Sequence, residues 1–196
     1  MRPERWTRFV IATAPTVEPL SFADVQAQCR VDSTDEQTIV ESYVKSARQV
    51  FEELGDTKLI NQTWDVYYND FHEPLEMPWS PMVSISSIKY QDVSNTQQTL
   101  SAEVYEAGER NQKSLVRLKY NQTWPTTIGH PDSVVVRAVF GYGTAGTNVP
   151  SPVLQVLRWL VGHQYMHREP LLVGTISKEL EWTIANFAAP YMFREF

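Results

Sequence analysis

Ile39-Val40-Glu41-Ser42-Tyr43-Val44-Lys45-Ser46-Ala47-Arg48-Gln49-Val50-Phe51-Glu52-Glu53-Leu54-Gly55 carries the clearest periodicity in the chain, and the fold class turns on it. Its apolar residues return every three or four positions, so they share one stripe of an α-helix and cannot share one face of a strand. Upstream, Ser33 and Glu36 match an S-x-x-E capping box, and Gly55 supplies a C-terminal stop. The spacing predicts a helix from about Ser33 to Leu54, on the order of 30 Å long. A stripe of that length has to be covered by another element.

Moving toward the N-terminus, Ser21 and Asp24 form a second capping box, with Leu20 and Val25 at the two staple positions. A short helix is expected from about Ser21 to Arg30, with Phe22, Val25 and Cys29 inward. Residues 1–19 show no period, hold Pro3, Pro15 and Pro19, and read as an extended arm. Toward the C-terminus the period changes to two. From Lys58 to Tyr142, β-branched and aromatic residues are punctuated by Pro, Asn, Asp and Gly. Short strands are expected at Trp64-Val66-Tyr68, Val83-Ile85, Ile88-Tyr90, Val104-Tyr105, Leu115–Leu118 and Val134–Phe140. Short strands packed this closely in sequence favour an antiparallel sheet or small sandwich over βαβ units.

Beyond a glycine-rich connection, Ser151-Pro152 gives an N-cap followed by proline at the first helical position, and Val153 to Tyr165 makes a third helix that Pro170 stops. This helix is the natural partner for the stripe on the second. A last helix is expected over about Lys178–Ala189, with Leu180, Ile184 and Phe187 inward. The resulting fold class is α+β: a helical bundle of N- and C-terminal helices with an inserted antiparallel β region. The expected organisation is an arm (1–19), a helical domain (20–57 and 150–190), the inserted β region (58–149) and an aromatic tail (191–196). So apolar a tail is expected to dock on its own fold or on a neighbour.

Composition narrows the function. The 196 residues are 42% hydrophobic and 20% charged, with a net charge of −6, which suits a folded globular chain and opposes a sequence-independent grip on nucleic acid. One cysteine, Cys29, allows neither an internal disulfide nor a cysteine zinc site, and a reducing compartment is expected. No run approaches the roughly 20 apolar residues of a membrane span. Arg2, Arg5 and Arg8 precede an apolar patch, but Phe9-Val10-Ile11-Ala12 is too short for a signal peptide.

Motifs for chemistry are weak. His163 and His167 have metal-sharing spacing on the third helix, but no glutamate of an H-E-x-x-H motif and no third ligand accompany them. His72 and His130 sit beside prolines in turns. Gly141-Tyr142-Gly143-Thr144-Ala145-Gly146 lacks a following G-K-[ST] and is expected to be a strand-to-helix connection, not a phosphate cradle. Trp64, Tyr68, Trp79 and Trp124 are expected in the sheet core, although a ligand pocket among them is the competing reading. Asn61-Gln62-Thr63-Trp64 and Asn121-Gln122-Thr123-Trp124 repeat a word without repeating its surroundings. No catalytic, cofactor or metal site is expected. The candidate partner interface is Trp6 and Phe9 on the arm, with Tyr191, Phe193, Arg194 and Phe196 on the tail.

Several words, in order, resemble the head-tail connector (adaptor) proteins of tailed bacteriophages and phage-like gene transfer agents. They are Cys29-Arg30-Val31-Asp32, Ile60-Asn61-Gln62-Thr63-Trp64 and the run from Pro81 to Tyr90. Trp124-Pro125 follows, then Gly141-Tyr142-Gly143 leading to Val149-Pro150-Ser151-Pro152, and Val161-Gly162-His163-Gln164-Tyr165 with Arg168-Glu169. The match spans about residues 20–191; the arm and the tail depart from it. What the resemblance implies is a structural protein and not an enzyme, located in the neck of a virion or phage-like particle. It implies a homo-oligomeric ring, typically of twelve copies, beneath the portal protein, with the stopper or tail-completion protein below. DNA would pass through the channel without sequence-specific binding, and no membrane or cofactor is involved. The alternatives are another connector-complex protein, such as a stopper or tail-completion protein, and a ligand-binding module built on the β insertion.

Overall fold

The computed structural model describes residues 6–31, 33–166 and 186–193. The chain divides into two compact units: Asn61–Tyr142 with the N-terminal stretch up to Pro15, and Thr16–Ile60 with the part that begins at Gly143.

The first unit is all β. Its strands are β1 (Arg8–Thr13), β2 (Gln62–Tyr68), β3 (Leu75–Glu76), β4 (Met82–Gln91), β5 (Gln97–Thr99), β6 (Tyr105–Arg110), β7 (Lys113–Leu118) and β8 (Val134–Phe140). Every pairing is antiparallel, giving a five-stranded sheet in the order β1-β2-β8-β4-β5 and a three-stranded sheet in the order β3-β7-β6. One core joins the two sheets. In β8, Val134, Val136, Ala138 and Phe140 are fully buried, as the period of two requires, and they meet Val66, Tyr68, Trp79, Ile88 and Val116. Turn chemistry sets the register. Asn111 and Gln112 both have positive φ (52° and 64°), the geometry of the two-residue turn that matches strand twist between β6 and β7. The Asp92 carboxylate accepts N–H bonds from Ser94 (2.9 Å) and Thr96 (3.0 Å), which closes the β4–β5 turn.

Of the stretch expected as an arm, the described residues divide between the two units. Residues 8–13 are an edge strand of the large sheet, whereas Glu18 and Leu20 belong to the helical unit. A six-residue edge strand with one buried neighbour carries too weak an alternation to stand out. Also unforeseen are β3 and β5, of two and three residues.

In the second unit, α1 (Phe22–Cys29) is capped as expected: Ser21 N–H donates to the Asp24 carboxylate (2.9 Å) and Asp24 N–H to Ser21 Oγ (3.2 Å). Leu20 and Val25 are both buried at the staple positions. The second box does not form. Ser33 caps a 3-10 turn over Thr34–Glu36 through Asp35 N–H (3.1 Å), and Glu36 instead accepts the Tyr165 hydroxyl (2.5 Å). Helix α2 therefore runs from Gln37 to Gly55, and the left-handed residue that ends it is Asp56 (φ 47°), one position past the expected glycine. Helix α3 spans Ser151–Met166, and α1, α2 and α3 pack on one another. Of the expected last helix, most lies outside the described residues; Phe187, expected inward, is 42% exposed with its ring edge-on to Trp159.

The buried face of α2 is not centred on its apolar stripe. Val40, Val44, Ala47 and Phe51 are buried, but so are Arg48 and Glu52, while Ile39, Val50 and Leu54 are 39%, 46% and 53% exposed. The helix is thus turned by roughly a fifth of a turn from what the apolar pattern alone specifies. The cause is an ion network on its other flank, described below.

Candidate functional site

The N-terminal candidates lie at the edge of the large sheet. Trp6 is half-buried against the β core. Phe9, 45% exposed, sets its ring edge-on to Trp79 (4.7 Å) and Trp64 (5.9 Å). Pairing of β1 with β2 places Phe9 across from Val66 and Ile11 across from Trp64. Hydrogen bonds fix the strand's start: the Thr7 hydroxyl donates to Asp132, and Arg8 Nε pairs with the other Asp132 oxygen at 2.6 Å. Arg8 also lies over the Tyr67 ring, 3.8 Å from its centroid. Burial opposes the charge on Asp132, yet the bonds from Thr7 and Arg8 more than offset it and hold the carboxyl below its ordinary value.

These groups border a groove of about 680 Å³ along the open face of the sheet, lined by Arg8, Asp65, Ser87, Lys89, His130, Asp132 and Arg137 among others. Its arginines are neutralised locally. Arg137 makes two parallel bonds of 2.7 Å to Asp65, as Arg8 does one to Asp132. The groove is a polar sheet face and not a catalytic constellation.

The aromatic cluster weighed as a ligand pocket is packed interior. Tyr68 and Trp79 are buried and Trp64 and Trp124 half-buried. Their polar handles are occupied: Tyr68 OH donates to Glu76 O (2.8 Å), Trp64 Nε1 to Gln62 Oε1 (3.0 Å) and Trp124 Nε1 to Glu73 (2.9 Å). Trp124 also stacks on Phe71 at 4.8 Å. Burial raises the Tyr68 phenol well above its usual value, so it stays protonated.

The tail candidates split. Tyr191 ends a 3-10 turn (Ala189–Tyr191), Phe193 N–H donates to Gly55 O at 2.7 Å, and the Met192 side chain lies over Gly55. This part of the tail caps the carbonyl end of α2 in its own unit, with Tyr191 and Phe193 still half-exposed. Arg194 and Phe196 lie outside the described residues. Trp6 and Phe9 fall in the β unit, Tyr191 and Phe193 in the helical unit.

Sequence reasoning missed the buried ion network of the helical unit. Arg48 bonds Glu18 twice (2.6 and 3.1 Å) and Glu52 once (3.1 Å); Glu52 also accepts Leu59 N–H (3.0 Å) and lies 3.8 Å from Lys58 Nζ. Arg48, Glu52 and Lys58 are each at most 6% exposed. Burial works against the Arg48 charge, but Glu18 and Glu52 more than compensate and raise its pKa; for Lys58 burial wins and lowers it. Only the i, i+4 spacing of Arg48 and Glu52 was visible beforehand. The network ties α2 to Glu18 and to Lys58-Leu59, close to the points where the chain enters and leaves the unit.

Cys29 is half-buried beside Gly162 of α3, and burial raises its thiol pKa, which leaves a protonated packing residue. Among the described residues no three His, Cys, Asp or Glu side chains converge as metal ligands; His167 lies outside them. His130 Nδ1 sits 3.0 Å from Pro131 O in its turn. The Gly141–Gly146 stretch links β8 to α3, with Asn148 Oδ1 accepting Ala145 N–H (3.0 Å). No described helix is long and apolar enough to cross a membrane.

No family model and no curated protein sequence matches the chain. Solved structures do. A chain in the "Virion of native gene transfer agent (GTA) particle" superposes with a TM-score of 0.79 at 13% identity, over 97% of both chains. A chain in the "Neck of empty GTA particle computed with C6 symmetry" gives 0.77 at 14% identity, and one in the "Neck of native GTA particle computed with C12 symmetry" gives 0.70 at 13%, each over 97% of both chains. Identity this low speaks to fold alone. The chain has the fold of chains found in the virion and neck of gene transfer agent particles, the kind of particle its sequence words resemble.

Proposed function

We propose that the protein is a structural head-tail connector subunit of the adaptor type, acting in the neck of a tailed phage or gene transfer agent. The observation that carries this is the end-to-end fold match to neck chains, over 97% of both chains with TM-scores from 0.70 to 0.79. The ordered sequence words agree with it. In this reading copies assemble into a ring, with twelve the expected number, between the portal protein above and the stopper or tail-completion protein below. DNA passes through the channel without base-specific contact, and the net charge of −6 per copy lets it slide without sticking. The role is non-enzymatic.

Partner contacts are assigned to the β1 edge, with Trp6 and Phe9, and to the tail around Tyr191 and Phe193, with Arg194 and Phe196 following in sequence. Deleting the gene tests the role: the expected product is a mixture of DNA-containing heads and separate tails. Complete tailed particles from the deletion strain would overturn it.

A further inference from the structure

Strand β1 is an open edge of unusual composition. Among the described residues it pairs only with β2, all six of its residues are exposed, and Phe9-Val10-Ile11-Ala12 is uninterrupted apolar sequence. Phe9, Val10 and Ile11 are 45%, 42% and 43% exposed. Natural edges are normally blunted by proline, lysine, an inward charge or brevity, because unpaired backbone groups recruit other strands. Here the only charge is Arg8, already folded back onto Asp132 and Tyr67. The far edge of the same sheet, β5, is three polar residues long.

We propose that β1 of one copy adds in antiparallel register to the free edge of β6 in the next copy, so that each junction of the ring is a continuous sheet. The inference rests on the connector reading, which requires a closed ring. Cyclic closure beyond a dimer needs a heterologous contact in which two different patches meet; β1 pairing with another β1 would be two-fold and stop at a dimer. The partner edge must therefore be a different strand of the same chain. Among the described strands, β6 matches β1 in length, six residues to six, and bonds on one side only, to β7. Its sequence, Tyr105-Glu106-Ala107-Gly108-Glu109-Arg110, is acidic where β1 is basic, and small at the centre. One antiparallel register sets Arg8 across from Glu109, Phe9 across from Gly108 and Val10 across from Ala107. That register sets opposite charges across from each other at Arg8 and Glu109, puts Ile11 across from Glu106, and leaves no bulky residue opposite Val10 or opposite Phe9, whose ring stays against Trp64 and Trp79.

The test uses the full-length chain with Cys29→Ser, assembled alone or on the portal, and follows covalent linkage and ring formation in the same sample. Val10→Cys with Ala107→Cys in one chain is expected to give, on oxidation, a ladder of linked copies ending at the ring's copy number. Mixing the two single variants should give dimers only, and Val10→Cys alone none. A control pair, Val10→Cys with Val93→Cys, should give none; Val93 is 68% exposed in the β4–β5 turn. Intact rings without the ladder, or cross-linking of Val10→Cys to itself, overturn the edge proposal while leaving the connector reading standing. If the parent protein forms no ring at all, both fall. Independently, Ile11→Glu puts a like charge across from Glu106 in this register. It should raise the protein concentration needed for rings at least tenfold, with unchanged far-ultraviolet circular dichroism of the monomer. Rings that form at the parent concentration would contradict the proposal.

Discussion

Replacing Glu52 by glutamine is the sharpest probe of how the helical unit is held together. The carboxylate is 3% exposed and serves Arg48, Lys58 and the Leu59 N–H at 3.1, 3.8 and 3.0 Å. Glutamine keeps the shape and the acceptor for Leu59 but removes the charge, leaving Arg48 with Glu18 of its two described carboxylates and taking from Lys58 the carboxylate 3.8 Å away. Breaking a buried pair from one side costs about 3–5 kcal/mol, and the retained hydrogen bond points to the lower end, about 3 kcal/mol. At about 2–4 °C per kcal/mol for a chain of this size, the melting temperature should fall by about 6–12 °C. Thermal denaturation at neutral pH, read by circular dichroism, measures it. Glu53→Gln, one residue along and exposed, is the control and should change little. Lys58→Met should cost less than Glu52→Gln, because burial already disfavours the Lys58 charge. If Glu52→Gln melts within 2 °C of the control, the network contributes nothing and the offset of the α2 face needs another cause.

Four further outcomes are expected. Truncation after Ala189 removes the Met192 and Phe193 contacts to Gly55, so the monomer should stay folded with about 1–2 kcal/mol less stability, while entry into particles is lost; normal entry would refute the tail's role. Gly146→Ala places a Cβ 2.4 Å from the Pro19 carbonyl oxygen, and the forced backbone shift should cost about 1–3 kcal/mol in chemical denaturation. Gln112→Gly relieves a side chain at φ 64° in the β6–β7 turn and should stabilise by about 0.5–1 kcal/mol, read in the same way. The Asp24 carboxyl is held below its ordinary 3.8 by hydrogen bonds from the Ser21 hydroxyl and N–H. A depressed folded-state pKa means its contribution is complete above about 3.8 and lost as pH falls through the folded value. Asp24→Asn should therefore flatten the acid limb of a stability-versus-pH curve, and an unchanged limb would contradict the assignment.

How much of this was legible in the sequence depends on the range of the interactions. Local signals read well: the Ser21–Asp24 box, the start of α3 at Ser151-Pro152 and the alternation of β8 are each fixed by neighbours a few residues away. Where a residue had a distant competitor, local rules failed. Glu36 looked like a cap but is engaged by Tyr165, more than a hundred residues on, so Ser33 caps only a 3-10 turn. Arg48 and Glu52 show only an i, i+4 spacing in the sequence; Glu18 and Lys58, which complete the buried network from either side, carry no local signal. Strand β1 was hidden for the same reason: its partner, β2, lies some fifty residues away, and an edge strand exposed along its whole length shows no burial alternation. The candidate tail residues were recognisable as apolar and out of place. That Phe193 would cap α2 at Gly55 was not, because a backbone-to-backbone bond leaves no trace in residue type.

The connector role is tested most directly by the mass of the purified full-length protein, alone and mixed with the portal protein, from light scattering with negative-stain images of the same samples. A closed ring, whether formed alone or only on the portal, is the expected result. A monomer that stays monomeric and ignores the portal would contradict it.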